Sequence, residues 1–337
     1  MPIQRRNITG VDIGSAAVKL VHSSGVRKWK TGMALIPEGV MAGNQITSAS
    51  LLTGAIKKAM AAGHIGGGKA ALCLSGTDII IRQATLPKMN ADQLRQNVID
   101  EITGYLAVDP ALYSIDYKVQ EVLSDGTAVQ FRVMTVAIPK SIIEPYVQAL
   151  SAAGLRVVTI DVAANAKEKL INHLTGKTGN YAVIDLGMSV SVIDTFQNGR
   201  FFVSKSSTAG LNAAATALSK ELKTDPLRAL DMIFGMDPNP ACRQAVLEYV
   251  DEVLRETLRV TDYFRSRNQM TPVAQVFVCG GGARIPGIIQ MIQDRLSLPV
   301  RDIRGLLSSV VKSRKKAGAY MSAYATAAGA TLLEVDQ

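Results

Sequence analysis

Gly10-Val11-Asp12-Ile13-Gly14-Ser15-Ala16-Ala17-Val18-Lys19 is the stretch on which the reading of the whole chain turns. Ile8 to Asp12 is a short apolar run with β-branched residues, a tight turn follows, and Val18 to His22 alternates back out, which predicts a β-hairpin with an acidic tip. The cassette returns about one domain's length later as Asp185-Leu186-Gly187-Met188-Ser189, again behind an apolar strand. Backbone N–H groups in such turns converge, so Gly14 to Ala17 and Gly187 to Val190 each predict an anion-binding nest. Asp12 and Asp185, ending their strands, are placed to hold Mg²⁺ through water, because magnesium keeps much of its hydration and takes a few carboxylates plus phosphate oxygens. Lys19, reaching back over the turn from the second strand, supplies the phosphate countercharge. Two half-sites closing on one polyphosphate make nucleotide binding the expected function.

Composition bounds the frame for that site. The 337 residues predict about two domains at roughly 100–200 residues each. A hydrophobic content of 47% with only 5% aromatics implies a core of Ala, Val, Ile and Leu, the usual filling of α/β layers. Cys73, Cys242 and Cys279 share no close spacing, and an odd count fits a reducing, cytoplasmic compartment rather than a disulfide framework. No run approaches the roughly 18 apolar residues a membrane helix needs. A net charge of +9 favours anionic company without choosing among nucleotide, nucleic acid and acidic lipid. Its local excess lies at Arg5-Arg6, Arg27-Lys28, Lys30 and Lys312-Ser313-Arg314-Lys315-Lys316, runs that read first as solvated faces.

Along the chain, helices are expected over Leu51 to Ala62, Asp92 to Leu106 behind Asn90, and Ser141 to Ala153 before Gly154, with strands over Ala70 to Leu74, Ile79 to Ile81, Tyr113 to Val122 and Phe131 to Ile138. Residues 77–154 thus form a β, α, β, β, α insertion. Val157 to Asp161 resumes a buried strand, Val162 to Leu174 a helix, and Gly176 to Asn180 a linker. Beyond it a meander of three strands turns on Gln197-Asn198-Gly199-Arg200, a helix follows Gly210, and a long helix carries Val246, Val250, Val253, Thr257 and Phe264 on one face. Val276 to Val278 leads through Gly280-Gly281-Gly282 into a helix from Ile285, and Tyr320 to Leu333 reads as a closing Ala-rich helix.

The triple glycine lets a ligand approach backbone with no Cβ in the way, although a tight strand-to-helix turn explains it equally. It lacks the G-x-G-x-x-G order, and no G-x-x-x-x-G-K-[ST] occurs, so neither a Rossmann nor a P-loop site is indicated.

Together these pieces resemble the actin-like ATPase superfamily. Asp12 to Lys19 resembles its first phosphate loop, Asp185-Leu186-Gly187 its second, and Val278-Cys279-Gly280-Gly281-Gly282-Ala283 its adenosine loop. Within it the chain is most similar to the PilM family of type IV pilus assembly, on Gly10 to Val21, Leu86-Pro87-Lys88-Met89 opening the insertion, Ala152-Ala153-Gly154-Leu155 closing it, and Arg255 to Arg259 running into Tyr263-Phe264. The resemblance implies an actin-like α/β fold with duplicated ribonuclease-H-like subdomains and the inserted subdomain also found in the cell-division relative FtsA. It divides the chain into a first subdomain, 1–76 and 155–178 with the C-terminal helix 317–337; the insertion, 77–154; and a second half of 179–222 with 272–316, plus 223–271. It implies that ATP and Mg²⁺ bind through Asp12, Gly14, Ser15, Ala16, Lys19, Asp185, Gly187, Met188, Ser189, Gly210, Gly280, Gly281 and Gly282, and that Asp161 orients an attacking water. A helix-start aspartate is the plain alternative for Asp161. It further implies a cytoplasmic scaffold at the inner face of the membrane, docking the N-terminal cytoplasmic tail of a PilN-like partner and linking it to the assembly ATPases.

Two departures bear on catalysis. Arg228 and Asp231 stand where the superfamily usually places a Glu and a Lys for the ribose, unless Lys220 or Glu221 substitutes, and Met188 stands where actin is acidic. Hydrolysis is therefore expected to be slow or absent. A small-molecule kinase would share every phosphate element but needs a base beside an acceptor pocket, and only Asp161 qualifies. Direct nucleic-acid binding is disfavoured, since no helix-turn-helix or interleaved aromatics accompany the basic runs. Lipid attraction of the 312–316 run would add about 1 kcal/mol per charge.

Overall fold

The computed structural model describes residues 3–5, 7–24, 29–43, 45–106, 109–124, 126, 128–176, 179–311 and 318–334. The Arg27-Lys28 and Lys312 to Lys316 runs lie outside these residues, as does Arg6. Two five-stranded sheets dominate, and they share one topology. In the first, the spatial order is Leu155–Val162, Gly68–Leu74, Asn7–Ile13, Ala17–Ser24 and Trp29–Leu35; in the second it is Val300–Asp302, Gln275–Cys279, Tyr181–Leu186, Ser191–Gln197 and Arg200–Ser207. Each begins as an antiparallel meander and gains two parallel strands on the far side of its first strand. The Asp12 and Asp185 cassettes consequently occupy the same place in both, at the carboxyl end of the central strand.

The expected hairpin is present, with Asp12 paired to Lys19 and Ile13 to Val18. The Gln197 to Arg200 turn is also as expected, Asn198 and Gly199 both taking positive φ (51° and 74°) as a two-residue primed turn demands. Helix Ala49–Gly63 packs so closely on Trp29–Leu35 that a Cβ on Gly32 would lie 2.1 Å from Ala59 O. The inserted three-stranded sheet, Ile80–Pro87, Val129–Pro139 and Tyr113–Ser124, is covered by Ala91–Leu106 and has its own core of Leu94, Val98, Ile102, Val133 and Ala137. Asn90 caps that helix as expected, its Oδ1 accepting from Gln93 N at 2.9 Å. Helix Lys140–Ala152 instead buries Ile142, Tyr146, Ala149 and Leu150 in the core of the first sheet, so the chain returns to its first body before the insertion's last element ends.

Two expectations are corrected. The closing segment is not one helix: a 3₁₀ stretch Gly318–Tyr324 leads into Ala325–Ala330, and Leu332–Glu334 is a strand paired with Ile3–Arg5. The short helix ends where Gly329 meets the backbone of helix Ala163–Thr175, a Cβ there falling 1.9 Å from Ala166 O. The triple glycine opens a 3₁₀ turn, Gly281–Arg284, and the helix begins only at Ile288. Pro286 explains the delay, since the residue before a proline is driven out of the α region and Ile285 has ψ 124°. Elements without a clear periodic signal, Trp29–Leu35, Pro226–Gly235 and Val300–Asp302, complete the layers.

Candidate functional site

The first half-site is self-contained. Lys19 Nζ lies 2.6 Å from Asp12 Oδ2, and both side chains are largely buried. Burial alone would lower the proton affinity of Lys19, but the charge and hydrogen bond of Asp12, with Asp185 across the cleft, outweigh it and hold the ammonium above its usual range. Gly14 N donates to Ala17 O at 3.1 Å, closing the turn, and Ser15 and Ala16 occupy its rim, half-buried.

The second half-site is assembled from both halves of the chain. Leu211 N and Asn212 N bond to the carbonyls of Gly187 and Met188 at 3.2 and 2.9 Å, pinning the start of helix Leu211–Leu222 on the loop. Gly210 is required by that approach: a Cβ would lie 2.3 Å from Ser189 O. Gly280, at φ 89°, takes a conformation natural only to glycine, and a Cβ would lie 2.4 Å from Asp185 Oδ1. Gly282 similarly rests on Leu186. The sequence-predicted residues of the second and third loops are therefore one constellation around Asp185.

Sequence reading missed two of its members. Lys167, on helix Ala163–Thr175, is fully buried and reaches 2.6 Å from Asp194 Oδ2 and 3.4 Å from Asp185 Oδ2. Asp194 sits one strand over from Asp185, 1% exposed. Burial opposes the Lys167 charge, yet Asp194 and then Asp185 raise its proton affinity well above normal. A lysine on an Ala-rich amphipathic helix carries no sequence signal for this role, because its partners come from another sheet. Arg284 was also missed: its guanidinium lies 3.3 Å from the Phe234 ring centroid and 4.8 Å from that of Tyr320, stacking helix Pro226–Gly235 and the 318–324 segment onto the glycine loop. Arg228 and Asp231 lie on the same helix, exposed.

Asp161 and Asp12 flank Cys73 in register on neighbouring parallel strands. Asp161 accepts from Val162 N at 2.8 Å and Asn165 Nδ2 at 2.9 Å, and Lys169 Nζ lies 2.6 Å away. Helix Ala163–Thr175 begins behind Val162 with no side-chain cap, so Asp161 does not take the helix-start role and is instead engaged by Val162 N, Asn165 and Lys169. Burial would raise its pKa, but Lys169, Asn165 and Val162 N–H outweigh that and lower it.

The opposite side of the connecting helix grips the insertion. Buried Glu168 accepts from Phe201 N at 2.7 Å and pairs with Lys118 at 3.0 Å, and Lys118 also holds Glu334 at 2.7 Å. Gln83 and Gln120 of the inserted sheet donate to Phe201 O at 2.9 and 3.1 Å. The insertion, the connecting helix and the second sheet are thus joined at one buried point. Between them lies a cavity of about 270 Å³ lined by Ser75, Thr77, Ser204, Ser206 and Asp194, whereas a larger one of about 830 Å³ opens at the far end of the first sheet, beside Thr9, Lys69 and Arg156. The larger is lined by none of the residues of the two half-sites.

No helix among the described residues is long and apolar enough to cross a membrane. Among solved structures, a chain of the "PilM-PilN type IV pilus biogenesis complex" superposes with a TM-score of 0.84 at 20% identity, covering 97% of this chain and 98% of that one. The ethanolamine utilization protein EutJ of Carboxydothermus hydrogenoformans gives 0.57 at 13% identity over 98% and 90%, and MreB5 of Spiroplasma citri bound to ADP gives 0.50 at 13% over 96% and 94%. The expected actin-like fold is borne out by these neighbours. A sequence model of the family described as "Type IV pilus assembly protein PilM" matches residues 10–333. With nearly its whole length matched, this chain belongs to the PilM family of type IV pilus assembly proteins.

Proposed function

We propose that this chain is a nucleotide-binding scaffold of type IV pilus assembly. In this reading ATP lies between the Asp12 and Asp185 loops, and the N-terminal cytoplasmic tail of a PilN-like membrane protein docks on the chain, holding it peripherally at the inner face of the membrane and linking it to the assembly ATPases. The observation that carries the nucleotide reading is the pair of equivalent strand ends, each with a tight glycine turn and a carboxylate–ammonium pair, Asp12 with Lys19 and Asp185 with Lys167. Closure of the two halves on nucleotide would alter the angle between the insertion, residues 77–154, and its neighbour, and so tune partner affinity.

For Mg²⁺, the donor set fits an ion held through water rather than gripped directly. Asp12 Oδ2 and Asp185 Oδ2 each face a lysine, leaving one oxygen apiece, and the described residues contain no group of three or more His, Cys, Asp or Glu able to enclose a cation. Bound there, magnesium would neutralise phosphate charge; Lys19 would bind phosphate, and the Gly14 and Gly187 turns would offer backbone N–H groups to its oxygens. Asp161 is the residue in reach of an attacking water, and because Lys169, Asn165 and Val162 already engage it, hydrolysis is slow or absent in this reading.

Calorimetric titration with ATP, and with the N-terminal cytoplasmic peptide of a PilN-like membrane protein, tests the proposal. Nucleotide and peptide should change one another's affinity by the same factor. Peptide affinity that is equal with and without saturating ATP would remove the coupling, and absence of ATP binding would remove the nucleotide reading.

A further inference from the structure

The Lys167, Asp185 and Asp194 cluster is more than the first half-site's counterpart. Two carboxylates on adjacent antiparallel strands converge on one fully buried ammonium supplied by a helix outside their sheet. Asp194 is 1% exposed, and its Oδ1 has no hydrogen-bond partner. Without the lysine, two neighbouring acids, Asp194 buried and Asp185 part-exposed to the cleft, would share a site, an arrangement that either holds a proton or recruits a cation. Around the cleft, Asp12, Asp161, Asp185 and Asp194 are opposed by Lys19, Lys167 and Lys169, so removing Lys167 would leave two carboxylates in excess.

We propose that Lys167 is the resident cation of the second half-site: it stands where the Asp185–Asp194 pair would otherwise take a divalent ion directly, so that Asp185 meets magnesium only through water and this loop takes no divalent ion in the absence of nucleotide. The inference rests on the nucleotide reading only for the water-held ion. Lys167 is a positioning residue here, since it acts by holding Asp185 and Asp194. The ammonium also ties the connecting helix to the second sheet, so the same contact fixes the spacing of the two loops. A merely structural ion pair would stabilise the fold in the same way but would leave metal dependence untouched.

The test uses the full chain with magnesium chloride alone, and ADP with magnesium as a separate check of the nucleotide reading. For the unmodified protein, magnesium alone should leave the melting temperature unchanged. Lys167→Met should melt lower and acquire a magnesium-dependent rise of several degrees, as RT ln(1 + [L]/Kd) requires of a newly formed site. Lys167→Met with Asp194→Asn removes one acid together with the lysine, and should fold and lose that magnesium response. A magnesium-induced rise in the unmodified protein without nucleotide, or a Lys167→Met protein indifferent to magnesium, would each overturn the proposal. A Lys167→Met protein that does not fold even with magnesium present would overturn it as well, because the ion should replace the missing charge. If the unmodified protein binds no ADP in any condition, the nucleotide reading fails, while the melting arms still judge Lys167.

Discussion

In the first half-site Asp12 takes its ammonium from Lys19, its direct cross-strand partner; in the second, Asp185 takes it from Lys167, on a helix outside that sheet. The same cassette is thus completed locally once and by tertiary assembly once. A local pair forms with the hairpin and survives changes elsewhere. The assembled one depends on helix Ala163–Thr175 being held at the right height, which Glu168 does by binding Phe201 N and Lys118. The second half-site is therefore the one through which the insertion can influence the cleft.

The strongest way to break this asymmetry is Lys118→Met. It leaves Glu334 without its lysine and Glu168 with Phe201 N–H and a half-exposed Arg200 at 3.4 Å. Removing one partner of a buried pair costs about 3–5 kcal/mol, so the urea midpoint should fall clearly. A midpoint equal to that of the unmodified protein would show that this junction holds nothing.

A matched pair of glycine replacements sharpens the comparison at the next level. Gly280→Ala should cost about 2–4 kcal/mol, because the new Cβ meets Asp185 Oδ1 and Leu186 backbone at 2.4–2.7 Å on a residue with φ 89°. Gly14→Ala should cost less than about 1 kcal/mol, since its Cβ meets only the flexible end of Lys19, at 3.2 Å. Thermal melts of the two variants measure the difference, and equal losses would refute the claim that only the second loop is jammed against its neighbours.

Legibility in the sequence follows the same division. Asp12, Gly14 and Lys19 are readable because the eight hairpin residues 12–19 contain the whole contact, and the Asn198-Gly199 turn because primed turns have few solutions. Lys167, Asp194 and Arg284 are not, since each contact joins elements far apart in the chain and nothing in local periodicity distinguishes such a residue from a solvated one. The closing helix was overread because alanines suit a helix anywhere, whereas its length is decided by Gly329 against Ala166 and by the strand that pairs with Ile3–Arg5. The late start of the helix after the triple glycine is legible in Pro286, which drives Ile285 out of the α region.

Lys19→Met tests the local half by affinity. A charge-assisted bond to phosphate is worth about 1.5–3 kcal/mol, so nucleotide should bind roughly 10- to 100-fold more weakly, measured by calorimetry. An unchanged affinity would move the phosphate away from the Asp12 loop.

The smallest effect concerns Asp161 and is read through pH. Its folded pKa lies below the ordinary carboxylate value, held there against burial by Lys169, Asn165 and Val162 N–H. A depressed acid contributes stability that is fully present above its unfolded pKa and is lost as pH falls through the folded one. Asp161→Asn should therefore be less stable than the unmodified chain at neutral pH, by a margin that holds down to about pH 5 and closes below about pH 4. Urea midpoints of both proteins across that range provide the measurement. A margin that persists unchanged at the acid end would mean that the Lys169 contact is not one of charge, and that the carboxylate is free for the water-orienting role instead.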